Sequence, residues 1–233
     1  MPGKLYIVST PIGNLEDISP RAIETLQNSD LILCEDTRTS SVLLSHYQIK
    51  KPLESYHAHN EDARIDSIIK RLKEGKIISI ISDSGTPGIS DPGAKLIKAC
   101  IDEGIDISPI PGSNALMTAL VMSGFEIKSF YFEGFIPQKK GRQTKLREIA
   151  SRKELTVFYE SPFRIKKLIN ELVELCPNRK IALCRELTKK FEEVIRGKVI
   201  DIKKKVDSIK IKGEFTIIIK PLSIIFTTLL TLT

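Results

Sequence analysis

The stretch LYIVSTPIGNLEDISPRAIETLQNSDLILCE, Leu5 to Glu35, decides the fold. An apolar run of strand length, Leu5 to Thr10, gives way to a loop, Pro11 to Asn14, that carries Pro and Gly. Ser19 then precedes Pro20, the favoured first position of a helix, and apolar residues recur three and four apart as far as Gln27. A second apolar run follows from Leu31 to Glu35. Strand, loop, helix and strand in that order make one crossover unit of a parallel sheet.

The same grammar extends outward. Strands are expected at Leu53 to His57, Ile77 to Ser82 and Ile105 to Ile110, with helices at Ser40 to Tyr47, Glu61 to Lys73 and Ala94 to Glu103. Ile65, Ile68, Ile69 and Leu72 trace one apolar helical face, and Gly75 and Gly104 act as stops. After Pro111-Gly112 the texture changes. A helix at Ala115 to Met122 leads into strands at Phe130 to Phe135, Leu155 to Tyr159, Ile181 to Arg185, Glu193 to Arg196 and Phe215 to Lys220, with helices at Arg164 to Leu175 and Lys198 to Val206. The short step from Ile181 to Arg196 implies antiparallel pairing. The expected fold is α/β in two domains: residues 1–111 with a mostly parallel sheet covered on both faces by helices, and 112–220 with a mixed sheet. An apolar tail, 221–233, follows. A cleft between domains so closely joined is a common place for a small-molecule site.

Composition narrows the function classes. With 233 residues, 41% hydrophobic and 28% charged, the chain can bury a substantial core, which excludes disordered and collagenous readings. Four cysteines without a C-x-x-C argue for reduced thiols and against a structural zinc. The N-terminus lacks the pattern of a signal peptide, and the most apolar run, Ser223 to Leu232, is about half the ~20 residues a spanning helix needs, so a cytoplasmic protein is expected. Charge is uneven. Residues 1–111 hold 12 Lys/Arg against 16 Asp/Glu, whereas 112–233 hold 24 against 13. Between Pro137 and Lys153, seven cations (Lys139, Lys140, Arg142, Lys145, Arg147, Arg152, Lys153) face only Glu148. Such a density attracts a polyphosphate backbone.

Residues suited to chemistry gather where strands end, the edge at which open α/β sheets bind ligands. Three first-half loops carry Gly and Pro: Ser9 to Leu15, Asp83 to Gly88 with Asp91-Pro92-Gly93, and Pro111 to Ala115; a fourth, Lys212 to Phe215, enters the last strand. P-loop and dinucleotide fingerprints and the G-x-S-x-G elbow are missing from the sequence. Two polar clusters remain, Glu35-Asp36-Thr37-Arg38 and His57-Ala58-His59-Asn60-Glu61. Asp36 or Thr37 can cap the next helix with Arg38 paired to a carboxylate, and Asn60 with Glu61 can cap another. His57 and His59 face one way on an extended segment, but a third metal ligand would have to come from a helix start, so no metal is expected.

Taken together, Thr10 to Ile18, Glu35 to Arg38, His57 to Glu61, Ser82 to Pro87, Asp91 to Gly93, Pro109 to Gly112, Tyr159 to Pro162, Arg185 to Lys189 and Lys212 to Glu214 resemble the tetrapyrrole-methylase-like class of S-adenosylmethionine (SAM) enzymes, in its small-subunit ribosomal RNA branch. The resemblance runs in order from residue 5 to 220. It implies SAM held in the interdomain cleft, a homodimer, and 2'-O-methylation of a cytidine in the decoding region of 16S rRNA, within the 30S subunit. Cofactor contacts implied by it are Pro11, Asp83, Gly85, Thr86, Ser113, Asn114, Ala115, Tyr159, Glu160, Gly213, Glu214 and Phe215. Two positions depart from the pattern: Phe163 stands where His is usual and Phe191 where Trp is common. Members of the class usually carry a basic helical extension after the last strand, whereas Pro221 to Thr233 carry no charge.

For methyl transfer to a hydroxyl, holding the reactants ~3 to 3.5 Å apart and in line can supply ~7 to 11 kcal/mol, and a base adds about 10²- to 10⁴-fold. Asp36, His57, His59 and Glu61 are the candidate bases, with Arg38 suited to a phosphate or to orienting Asp36. Asp36 ranks first if its strand adjoins the one bearing Pro11. Lys139, Lys140, Arg142, Lys145 and Arg147 are the expected RNA contacts. Methylation of a tetrapyrrole carbon and a non-catalytic ribosome-binding module are the competing readings; 6% aromatics without Trp disfavour a trough for a large apolar ring.

Overall fold

Alternation along each strand sorts the first-half apolar residues onto two faces of one sheet, and helices cover both. The computed structural model describes residues 3–208 and 211–221. It divides into two compact units: up to Thr118 together with Leu187–Lys189, and the remainder. The division falls within a helix, between Thr118 and Ala119, a few residues past the boundary read from the sequence.

The first unit holds β1 (Lys4–Val8), α1 (Pro20–Asn28), β2 (Leu31–Cys34), α2 (Thr37–His46), β3 (Leu53–Ser55), α3 (Glu61–Lys73), β4 (Ile77–Ile80), α4 (Ala94–Asp102) and β5 (Asp106–Ile110). Its sheet is wholly parallel, in the order β3-β2-β4-β1-β5. Leu31 and Leu33 face Ile68 and Leu72 of α3 and Leu96 of α4, while Ile32 and Cys34 face Leu26 of α1 and Leu44 of α2. Each fully buried Leu or Ile contributes about 1.5 to 3 kcal/mol. Ser19 caps α1 as read, its Oγ accepting the Ala22 N–H at 3.1 Å. One expectation fails: β4 lies between β2 and β1, so the strand bearing Asp36 does not adjoin the strand bearing Pro11.

Helix α5 (Ala115–Ser123) precedes β6 (Phe130–Phe135), α6 (Arg142–Ser151), β7 (Leu155–Glu160), α7 (Ile165–Leu175), β8 (Lys180–Arg185), β9 (Glu193–Lys198), α8 (Val199–Ser208) and β10 (Phe215–Ile219). The sheet of the second unit is mixed, in the order β6-β7-β10-β8-β9, with only β6 and β7 parallel. Leu146 and Ile149 of α6, Leu168 and Leu172 of α7, and Ile202 of α8 pack on Phe158, Leu183 and Ile217 of that sheet. Residues 142–151, a cationic run in the sequence, form a helix whose apolar side belongs to this core.

All four cysteines are free and buried, two in each unit. Burial pushes the Cys100 thiol up to about 11 and Cys184 to about 12. Among the described residues no helix is long and apolar enough to cross a membrane. Of the tail read as apolar, residues 222–233 lie outside the described residues.

Candidate active site

In the first-unit sheet the winding of the connections reverses between the parallel neighbours β4 and β1. The connection leaving β1 runs through α1 on one face and that leaving β4 through α4 on the other. Such a switch point opens a crevice at the carboxyl ends of the strands. Here the loops after β1 and β4 are stitched together: the Thr10 N–H donates to the Gly85 carbonyl at 2.8 Å, and the Gly85 N–H returns to Thr10 at 3.2 Å. Thr10 Oγ1 donates to the Ser82 carbonyl at 3.0 Å. Gly85 sits at φ +89°, a conformation that favours Gly.

The loop after β5 joins them. Ser9 Oγ and Thr86 Oγ1 share a hydrogen bond of 3.0 Å, and Asn114 Nδ2 donates to Thr86 Oγ1 at 3.4 Å. A Cβ at Gly112 would stand 3.0 Å from that of Ser9, a tight contact that Gly relieves. Pro11, Asp83, Gly85, Thr86, Ser113, Asn114 and Ala115 are thereby gathered on one edge by β1, β4 and β5. Against the same edge lies Leu187–Lys189: a Cβ at Gly13 would collide with the Lys189 side chain.

Beside these loops the ends of β3, β2 and β4 bring a polar group together. Asp36 caps α2, accepting the Arg38 N–H at 2.8 Å, and its carboxylate takes the Arg38 guanidinium in a fork of 3.1 and 2.6 Å. Those hydrogen bonds hold its pKa down to about 2. The Asp36 N–H in turn donates to Asp83 Oδ1 at 3.3 Å, which links the β2 end to the β4 loop. Glu35, absent from the sequence candidates, behaves oppositely. Burial, then Asp91 and Asp83, push its carboxyl up, with His57 partly offsetting them. Burial raises Asp83 as well.

The second polar cluster is less uniform than its sequence implies. His57 keeps a buried Nδ1 without a hydrogen-bond partner, while His59 is exposed, with the rings 6.0 Å apart. Glu61 is paired with Lys95 at 3.0 Å. Asn60 does not cap α3 as expected; its Oδ1 accepts the His57 N–H at 2.8 Å and so ties down the histidine loop. Among the described residues no cluster of three or more His, Cys, Asp or Glu is placed to hold a metal ion. Cavities of about 280 and 470 Å³ open elsewhere on the first unit, the larger one lined by the starts of β2 and β4 rather than by this edge.

The second-unit residues fare differently. Gly213, at φ +86°, leaves room for the Glu186 side chain. Glu186 donates its N–H to the Glu214 carbonyl and accepts the Glu214 N–H on Oε1, both at 3.0 Å, and Phe215 is buried beyond. Tyr159 stacks with Phe132 and Phe135. Glu160 has a fully buried side chain, paired with Arg142 at 3.1 Å and Arg164 at 2.7 Å, so it offers a ligand only main-chain atoms. Arg142 is corrected. Its side chain is 3% exposed and locked to Glu160 and Glu171, which removes it from any RNA surface. Lys145 is engaged by Glu133 and Glu148, whereas Lys139, Lys140 and Arg147 are exposed.

Residues 4–203 match the model of the tetrapyrrole (corrin/porphyrin) methylases, and the chain belongs to that family. It is a methyltransferase. Within the family it is similar to proteins named ribosomal RNA small subunit methyltransferase I. The one from Halalkalibacterium halodurans is 46% identical over 219 residues, covering 94% of this chain and 76% of that relative. The one from Thermotoga maritima is 45% identical over 217 residues, covering 93% and 98%. Such relatives therefore differ in how much they carry outside the shared part. Among solved structures, a diphthine synthase superposes with TM-score 0.73 at 12% identity, covering 94% of this chain and 90% of that one. A cobalt precorrin-4 methyltransferase gives 0.67 at 18%, covering 93% and 94%. These share the fold.

Proposed function

We propose that the chain transfers a methyl group from SAM to the ribose 2'-hydroxyl of a cytidine in the decoding region of 16S rRNA, acting as a homodimer on the 30S subunit. The observation that carries this reading is identity of about 45%, over nearly the whole chain, to relatives named for the small-subunit rRNA. The switch-point loops suit the cofactor. Gly85 and Gly112 clear side chains from a crevice rimmed by main-chain groups and by the Thr86 and Asn114 side chains, so Pro11, Asp83 to Thr86 and Ser113 to Ala115 would hold it. When bound, SAM supplies an electrophilic methyl on a sulfonium.

The chain's own task is to place the hydroxyl and take its proton. A base works best with a pKa near the working pH. Asp36, held near 2 by Arg38, is a poor base. Its part is to aim Arg38, whose side chain is 89% exposed, at a phosphate. Glu35, raised by burial and flanked by His57, is the better acceptor.

Unmethylated 30S subunits incubated with isotopically labelled SAM, followed by mass spectrometry of the nucleosides, test the reading. The expected product is 2'-O-methylcytidine at one position. Label on a base, or none, overturns it. In single turnovers Glu35→Gln is expected to slow transfer about 10²-fold or more, and Asp36→Asn less; equal rates for both variants remove the base from this cluster.

A further inference from the structure

Strand β6 is an edge of the second-unit sheet, and its outer end is aromatic. Phe132 and Phe135, three residues apart, would point to opposite faces of a regular strand. They do not, because the register slips by one residue between them: Phe132 pairs with Val157, and Phe135 with Tyr159. This bulge turns both rings onto Tyr159, with centroids 5.2 and 5.4 Å away. Phe135 remains 58% exposed.

Two further observations bear on what covers it. The buried Arg142 braces the pair from beneath, one Nη1 donating both to the Pro137 carbonyl, two residues past Phe135, and to Glu160, one past Tyr159. The turn so anchored then carries Lys139 and Lys140, both exposed. Tyr131 on the same strand has the Arg152 guanidinium 4.3 Å over its ring, whereas Phe135 meets Tyr159 alone among the ring and cation contacts of the described residues. A rigid, exposed aromatic next to unscreened cations matches a chain with π-faced bases on a phosphate backbone.

We propose that Phe135, held against Tyr159, is the stacking platform for an unpaired nucleobase of the substrate RNA, with Lys139 and Lys140 taking the adjacent phosphates. This rests on the RNA reading above and names the side chain that grips the strand. The sequence has no Trp, so Phe135→Trp installs a single indole at the platform.

Polycytidylate is expected to quench that indole, whereas inorganic polyphosphate leaves it unchanged. Phe135→Leu, which keeps the apolar volume without the π-face, is expected to weaken polycytidylate binding about ten- to hundredfold, while Phe135→Trp stays close to wild type. A Phe135→Leu protein that binds as wild type does, or an indole that polycytidylate leaves unquenched, overturns the platform. Loss of dimer in Phe135→Leu on sedimentation overturns it as well and assigns the face to a second copy. The two readings fail separately. An unmodified protein that binds polycytidylate through Phe135 yet methylates no 30S subunit sinks the function; one that methylates subunits equally well as Phe135→Leu sinks the platform alone.

Discussion

Arg38 and Arg142 make the same bond to opposite effect. Each forks a carboxylate through Nε and Nη2, Arg38 at the exposed start of α2 and Arg142 in the interior of the second unit. In water the fork is easily exchanged, so the Arg38–Asp36 pair adds little to stability. Inside, Arg142, Glu160 and Glu171 are held away from water together, and removing Arg142 strands Glu171 and leaves Glu160 with Arg164 alone. Two arginines in polar or cationic surroundings thus have different work, and burial alone separates them.

The largest effect expected is therefore at Arg142. Arg142→Ala should cost about 3 to 5 kcal/mol by urea unfolding, because Glu171 is left buried without its cation and Glu160 keeps only Arg164. Replacing all three by apolar residues of similar volume should recover most of that loss. If Arg142→Ala shifts the urea midpoint no more than Arg38→Ala does, the contrast between the two sites is wrong. Next comes Gly213→Ala. A side chain there meets Glu186 at a backbone angle that favours Gly, and about 1 to 3 kcal/mol should be lost with the paired Glu186–Glu214 hydrogen bonds.

The smallest effect separates the two carboxylates of the first unit by pH. Glu35 holds its proton more tightly folded than unfolded, so ionising it opposes folding as pH rises above its ordinary 4.5. Glu35→Gln should raise stability at pH 7, with the gain gone by pH 4. Asp36 has the reverse sign. Its contribution is present above 3.8 and fades as pH falls toward about 2, so Asp36→Asn should flatten the acid side of the stability curve. Matching pH profiles for the two variants would erase the distinction.

The crossover grammar made the architecture legible, because buried parallel strands read as apolar runs and Gly and Pro punctuate their ends. α3 was bounded from its periodicity at Glu61 and Lys73. The switch-point loops were legible for the same reason. Strand order was not: nothing local in Ile77–Ile80 says that it inserts between β1 and β2. Helix α6 was hidden by its charge, since Leu146 and Ile149 are thinly spread through a cationic run. The fate of Arg142 depends on Glu160 and Glu171, 18 and 29 residues away, a pairing only the fold creates. Glu35 was passed over because its neighbours Asp83 and Asp91 arrive from another strand.

The buried thiols have a use of their own. Cys34 and Cys100 sit in one unit, Cys176 and Cys184 in the other, each with its ionisation suppressed by burial. A thiol reagent should ignore the native protein and mark a molecule only while it is open. Peptide mapping of the labelled positions then reads out which half loosens first, a built-in stopwatch that requires no engineered probe.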